Sequence, residues 1–430
     1  MKRSRLAAAL FAALFARGAG AAGAPPSPAA PPQPAPAPAP APAPAHGSHY
    51  DFHVEALIVP TERAAHVTLE LGKGAEHVHW LRFRIDPKRH LLFRGDGDVK
   101  TEGAHVTWTP PRTGGKLSYI FRIDHLRDAR RYDARCAKTW AIFRGEDLVP
   151  PARARVTVGA RSRTRLLVRL PESWSIVTPY AKLRSGEYRV NHPRQRFARP
   201  TGWMIAGDLG VLREDVAGVK VAVAGPRGMG VRREDMLALL RWTLPTLRGV
   251  LGTLPDRLTI VSAYDPMWRG GLSGPGSLFI HAHRPLITED GPSPLLHEVM
   301  HVALGLRPGF DGDWAIEGLA QYYSLELLAR SHTISPERLQ RAYETQALRG
   351  QEAAHLRSKS VSGAGTARAL TALHALDGRI RGATQGRRSL DDVARVLVTE
   401  GGAVTTDRVE QISEHVSGAD LSAFFKAQIP

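Results

Sequence analysis

The sequence predicts an α+β multidomain chain: an N-terminal antiparallel β-sandwich-like domain, a mixed α/β lobe and a C-terminal helical lobe. Three observations predict it. Between residues 49 and about 198, short stretches of alternating apolar and polar residues are separated by turn residues. From Thr201 strand-like and helix-like stretches alternate. Beyond Pro294 apolar residues recur almost entirely at helical spacing.

In chain order, the first residues are Met-Lys-Arg-Ser-Arg, followed by an apolar run from Leu6 to Ala16 and small residues through Ala24. This is the layout of a secretory signal, so residues 1–24 are expected to be removed, after Ala21 or Ala24, and the protein to be secreted or periplasmic in a bacterium. The run is too short to span a bilayer and no other stretch approaches the required length, so no transmembrane anchor is expected. Residues 25–47 are almost only Pro and Ala, which favours extended conformations and buries no core; they read as a stiff linker.

Residues 48–200 carry the β pattern, with alternating stretches at 66–71, 105–108, 117–122, 154–158 and 165–169. Residues 201–330 hold strand-like runs at 219–223, 258–262 and 277–280, with a helical stretch at 233–251. Helical periodicity then marks 294–304, 314–330, 336–348, 365–380, 389–399 and 419–428, so that residues 331–430 form a helical C-terminal domain.

Of the 430 residues, 58 are Lys or Arg and 41 are Asp or Glu, a formal charge of +17. Without Lys2, Arg3, Arg5 and Arg17 it stands at +13. The basic residues are spread along strands and helices with no nucleic-acid module among them, so no nucleic acid is expected as a partner. The single cysteine, Cys136, excludes a disulfide within the chain and reads as a small buried apolar residue.

The chemistry-bearing motif is His297-Glu298-Val299-Met300-His301. Ser293 suits a helix cap, Pro294 the first turn and Gly305 the stop. On a helix His297 and His301 lie one turn apart on one face, so both imidazoles reach a single ion, with Glu298 beside them as base. A catalytic zinc takes three protein ligands and keeps a fourth position for water. Downstream, Asp313 suits the cap of a second helix with Glu317 near its start, and Gly305, Pro308, Gly309 and Gly312 allow the turn that brings Glu317 to the two histidines. One Zn2+ per chain is expected on His297, His301 and Glu317.

These residues carry a resemblance. His297 to His301 together with Trp314-Ala-Ile-Glu317-Gly-Leu-Ala-Gln-Tyr-Tyr323 resembles the gluzincin metallopeptidases, most closely the glycyl aminopeptidase family. Gly270, Gly271 and Leu272 resemble that family's substrate-binding strand, and the stretches 376–381, 389–392 and 417–425 resemble its C-terminal helices. The resemblance implies a thermolysin-like catalytic domain over residues 201–330 and hydrolysis of peptide bonds, with Glu298 accepting a proton from water and passing it to the leaving amine. Ser273 stands where the family carries a Glu that holds a free amino terminus. No Tyr occurs after Tyr343 at the place of the family's oxyanion donor, so Tyr322, Tyr323, Tyr343 and His355 are the remaining candidates, with Tyr323 taken as the catalytic donor. His281 and His283 alternate near the motif and could extend the site. The rival expectation is a protein of the same fold, weakly active or inactive, whose cleft grips a peptide or an envelope polymer.

Overall fold

The structure is a computed structural model that describes residues 48–190, 192 and 195–429. The expected signal (1–24) and the Pro/Ala-rich linker (25–47) lie outside the described residues.

Strands in the first part follow the alternation. In His49–Val59, Tyr50, Phe52, Val54, Ala56 and Ile58 are buried, every second residue as the pleat requires. Seven strands make one sheet, in the order Ala181–Lys182, Tyr188–Val190, Arg161–Arg169, His49–Val59, Ala64–Leu71, Gly115–Arg122 and His90–Gly95. Four more, Ala152–Val156, Val78–Arg84, His105–Thr109 and Asp98–Glu102, make a second. Both sheets send side chains, among them Phe52, Leu69, Phe83 and Trp108, into one apolar core. Cys136 belongs to that core, and burial pushes its thiol up to about 12.

A third sheet runs Ser175–Val177, Trp203–Gly207, Trp140–Arg144, Tyr132–Cys136 and His125–Leu126. Trp203–Gly207 and nearly all of Trp140–Arg144 are buried, so they appear in the sequence as short apolar runs without alternation. Met204 and Phe143 face the first core, while Trp203, Ile205 and Ile142 meet Val261 and Phe279 in another. Strands on both sides of residue 200 are therefore hydrogen-bonded neighbours.

The next sheet is built from β1 (Leu209–Val216), β2 (Val219–Pro226), β3 (Arg257–Ala263), β4 (Gly271–Gly274) and β5 (Ser277–His281), in the order β1-β2-β3-β5-β4. Helix α1 (Arg233–Leu251) connects β2 to its parallel neighbour β3. β4 pairs antiparallel with β5 and forms the sheet's edge. Helices α2 (Pro294–Leu304), α3 (Asp313–Arg330), α4 (Pro336–Gly350), α5 (Ala364–Thr384), α6 (Leu390–Glu400), α7 (Thr406–Ser417) and α8 (Ser422–Gln428) follow. The chain is α+β, and among the described residues no helix is long and apolar enough to cross a membrane.

The turn between α2 and α3 is fastened by residues far along the chain. Arg307 and Pro308 pair with Ala403 and Val404, and Gly309 N–H donates to the Val404 carbonyl at 2.6 Å. A Cβ on Gly312 would stand 1.8 Å from that carbonyl oxygen, so only glycine fits. The Trp314 indole N–H donates to Thr406 Oγ1 at 3.0 Å, and Thr406 N–H donates to Asp311 at 3.2 Å.

Candidate metal centre

Helix α2 forms as its sequence dictates. Ser293 Oγ accepts from Leu296 N–H at 3.2 Å, Pro294 occupies the first turn, and Gly305 closes the helix in the left-handed region at φ 58°. Leu295, Leu296, Val299 and Met300 are buried, which turns the His297 and His301 face toward α3. α3 starts differently from expectation. Gly312 occupies the cap position, and the Asp313 carboxylate instead accepts from Val361 N–H at 2.7 Å, which ties the 351–363 segment to the start of this helix.

The structure brings three expected ligands together. His297 Nε2 and His301 Nε2 are 3.1 Å apart, and Glu317 places Oε2 3.4 Å from the first and Oε1 3.3 Å from the second. Zinc bonded to nitrogen at about 2.0–2.1 Å in a tetrahedral arrangement holds its ligand atoms about 3.3–3.4 Å from one another. The donor set, two imidazoles and one carboxylate, and its spacing therefore fit zinc. His297 Nδ1 lies 2.9 Å from Gln321 Oε1, one turn beyond Glu317. An amide oxygen accepts, so Nδ1 carries a proton and Nε2 is the atom that would face a metal. Replacing Gln321 by Ala is expected to weaken zinc binding about 10–100-fold, measured by competition with a chromophoric chelator.

The charges of the cluster are mutually set. Burial raises the Glu317 carboxyl, but hydrogen bonds from both histidines outweigh it and hold it at about 2. Burial disfavours protonated His297, yet the Glu317 hydrogen bond and the nearby carboxylates raise its pKa. Glu298 lies outside this triangle, with its pKa raised, foremost by burial. The backbone N–H of Ser273 donates to the Glu298 carboxylate, so the edge strand β4 and the candidate base are directly joined.

Gly271 lies against Glu298: an added Cβ would stand 2.5 Å from its Oε1 and 2.6 Å from its Cγ. Gly271→Ala is thus expected to displace the base and lower turnover on the order of 10²-fold while zinc content is retained, as read from kinetics beside metal analysis. Gly270 is glycine for another reason, since a Cβ there would fall 1.8 Å from the Trp268 ring. Leu272 leaves its backbone on the edge and packs against the core that includes Phe279.

Tyr323 requires correction. It is fully buried, and its hydroxyl donates to Asp391 Oδ1 at 2.9 Å, in a network with Arg330. Six positions after Glu317 on a 3.6-residue helix, it points to another face of α3 and is a core residue. Tyr343 is committed likewise, its hydroxyl donating to Glu326 at 2.7 Å. His355 is exposed on the segment that Val361 anchors to Asp313.

His281 and His283 join Asp265 in a second group. His283 N–H donates to His281 Nδ1 at 3.2 Å, so the neutral ring carries its proton on Nε2, which faces Asp265 Oδ1 at 3.4 Å. Arg269 occupies both carboxylate oxygens and holds Asp265 at about 2. Arg269 engages the Asp265 carboxylate, while the buried His281 Nε2 makes no hydrogen bond; through its backbone N–H to the Gly270 carbonyl His281 steadies the entry to β4. Sequence reasoning missed Gln321, although its i+4 spacing from Glu317 was a signal. The Ser273 and Val361 amides gave none, because backbone donors carry no residue signature.

No protein-family profile matches the sequence, and no curated protein does. Solved structures do. The chain is similar to an aminopeptidase N family protein from Idiomarina loihiensis, with a TM-score of 0.69 and 15% identity over 88% of this chain and 76% of that one. It is also similar to an M1 zinc metallopeptidase from Deinococcus radiodurans, with a TM-score of 0.57 and 18% identity over 89% of this chain and 93% of the other. At these identities the likeness is one of fold, and the fold is that of these multidomain metallopeptidases.

Proposed function

We propose that this chain is a secreted, zinc-dependent peptidase of the gluzincin type, with His297, His301 and Glu317 holding one zinc ion and Glu298 acting as general base. The observation that carries the reading is the 3.1–3.4 Å triangle of ligand atoms with a half-buried carboxylate of raised pKa adjoining it. When bound, zinc supplies Lewis-acid polarisation of a carbonyl and lowers the pKa of a water. Glu298, steadied by the Ser273 amide, takes up the proton of the attacking water and delivers it to the leaving amine. An extended peptide adds to the edge strand through the backbone of Gly270, Gly271 and Leu272, where the glycines permit close approach.

The domain reading that accompanies this is a β-sandwich-like domain over 48–200, a thermolysin-like lobe over 201–330 and a helical domain over 331–430, exported on residues 1–24. The fold likeness supports peptide substrates; the finer likeness to glycyl aminopeptidases rests on the sequence segments alone. One observation favours a second reading, a protein that grips peptides with little turnover: the Tyr323 and Tyr343 hydroxyls are bonded to Asp391 and Glu326, so neither serves as oxyanion donor. Incubating the zinc-loaded chain with a mixed peptide library, with and without a chelator, separates the two. Chelator-sensitive cleavage supports the peptidase; zinc bound at one per chain without cleavage supports the binder and overturns the peptidase.

A further inference from the structure

Beside the edge strand the first part of the chain contributes a hairpin, strands His125–Leu126 and Tyr132–Cys136 with the turn between them. It docks by backbone bonds: Tyr132 N–H to the Pro266 carbonyl at 3.0 Å, and Trp268 N–H to the Tyr132 carbonyl at 2.8 Å. Each aromatic ring at this seam carries a guanidinium. Arg127 sits over Trp268 at 4.4 Å, and Arg135 over Tyr132 at 4.6 Å.

Contacts run without interruption from the candidate base to this hairpin. Glu298 adjoins Gly271, Gly270 adjoins the Trp268 ring, and Arg127 lies on that ring. The charge of the hairpin is uneven: residues 125–136 carry Arg127, Arg130, Arg131 and Arg135 against Asp128 and Asp133, with Asp124 just before them accepting from Cys136 N–H. Asp128 is occupied by the amides of Arg130 and Arg131, and Asp133 by His125, leaving Asp133 Oδ2 3.9 Å from Arg127. Nearby, Arg269 and Asp265 neutralise one another. The Arg127 side chain keeps 39% of its surface exposed, and stacking fixes it at low entropic cost to a ligand.

We propose that this hairpin selects acidic peptides, with Arg127 binding an Asp or Glu side chain on the side of the scissile bond that lies next to Gly270. The inference rests on the peptidase reading of the zinc site. A guanidinium fork pairs with a carboxylate through two parallel hydrogen bonds, and the aromatic platform holds that fork in place.

The test uses the full zinc-loaded chain and pairs of fluorogenic peptides identical except for Glu or Gln at one scanned position. Wild type is expected to favour Glu about tenfold in kcat/KM at one or two adjacent positions, less so in high salt. In Arg127→Gln that ratio is expected to fall near one, and Arg127→Lys to recover part of it. An unchanged ratio in Arg127→Gln, or no preference in wild type, overturns the proposal. Fluorescence anisotropy of the same pairs on Glu298→Gln protein provides a reading that needs no cleavage. If wild type cleaves nothing, the peptidase reading fails, and the Glu to Gln binding ratio with and without Arg127 still decides for or against the acidic pocket.

Discussion

Glu298→Gln is expected to keep one zinc per chain and to hydrolyse peptides 10² to 10⁴-fold more slowly than wild type, the range that positioned general acid-base catalysis supplies. The substitution is nearly isosteric. Gln retains an oxygen to accept from the Ser273 amide and fills the same half-buried site, so edge strand and helix keep their places. What is lost is the capacity to take up a proton. Single-turnover kinetics beside metal analysis reads both quantities; an unchanged rate would remove Glu298 from the mechanism.

His297→Ala is expected to abolish stoichiometric zinc. It removes one nitrogen of the triangle and leaves Gln321 without its imidazole partner, so the remaining His301 and Glu317 form an incomplete site. Zinc that binds the folded chain alone stabilises it by about 4 kcal/mol at a free concentration a thousand times Kd. Wild type should therefore lose thermal stability on adding a chelator, whereas His297→Ala should give the same melting curve with and without one. Zinc near one per chain in the variant would show that the ion sits elsewhere.

Much of this site was legible because its signals are local. Helix α2 has a side-chain cap, a first-turn proline and a terminal glycine, each with its own residue preference, and the two histidines follow from helical spacing. The helix 233–251 was marked at the bounds it has, since its apolar residues repeat regularly. What was missed is tertiary. Asp313 has the residue type of a cap, yet a loop 48 positions away offers its amide and captures the carboxylate. α7 (Thr406–Ser417) escaped notice because Val409, Ile412 and Val416 are its only large apolar residues. Tyr323 was misjudged because sequence distance from Glu317 does not say which partner waits on each face; Asp391, 68 positions on, held the hydroxyl.

The fastening of the α2–α3 turn has a consequence for how the protein is made. Trp314 anchors to Thr406, 92 positions later in the chain. At about 5–20 residues per second, a ribosome delivers that partner roughly 5–20 s after the tryptophan. Until then the turn lacks the Val404 carbonyl and the Thr406 hydroxyl that orient α3, and Glu317 in its second turn has no fixed place opposite the histidines. Assembly of the triangle therefore depends on the C-terminal segment as well as on the helix that bears the histidine pair.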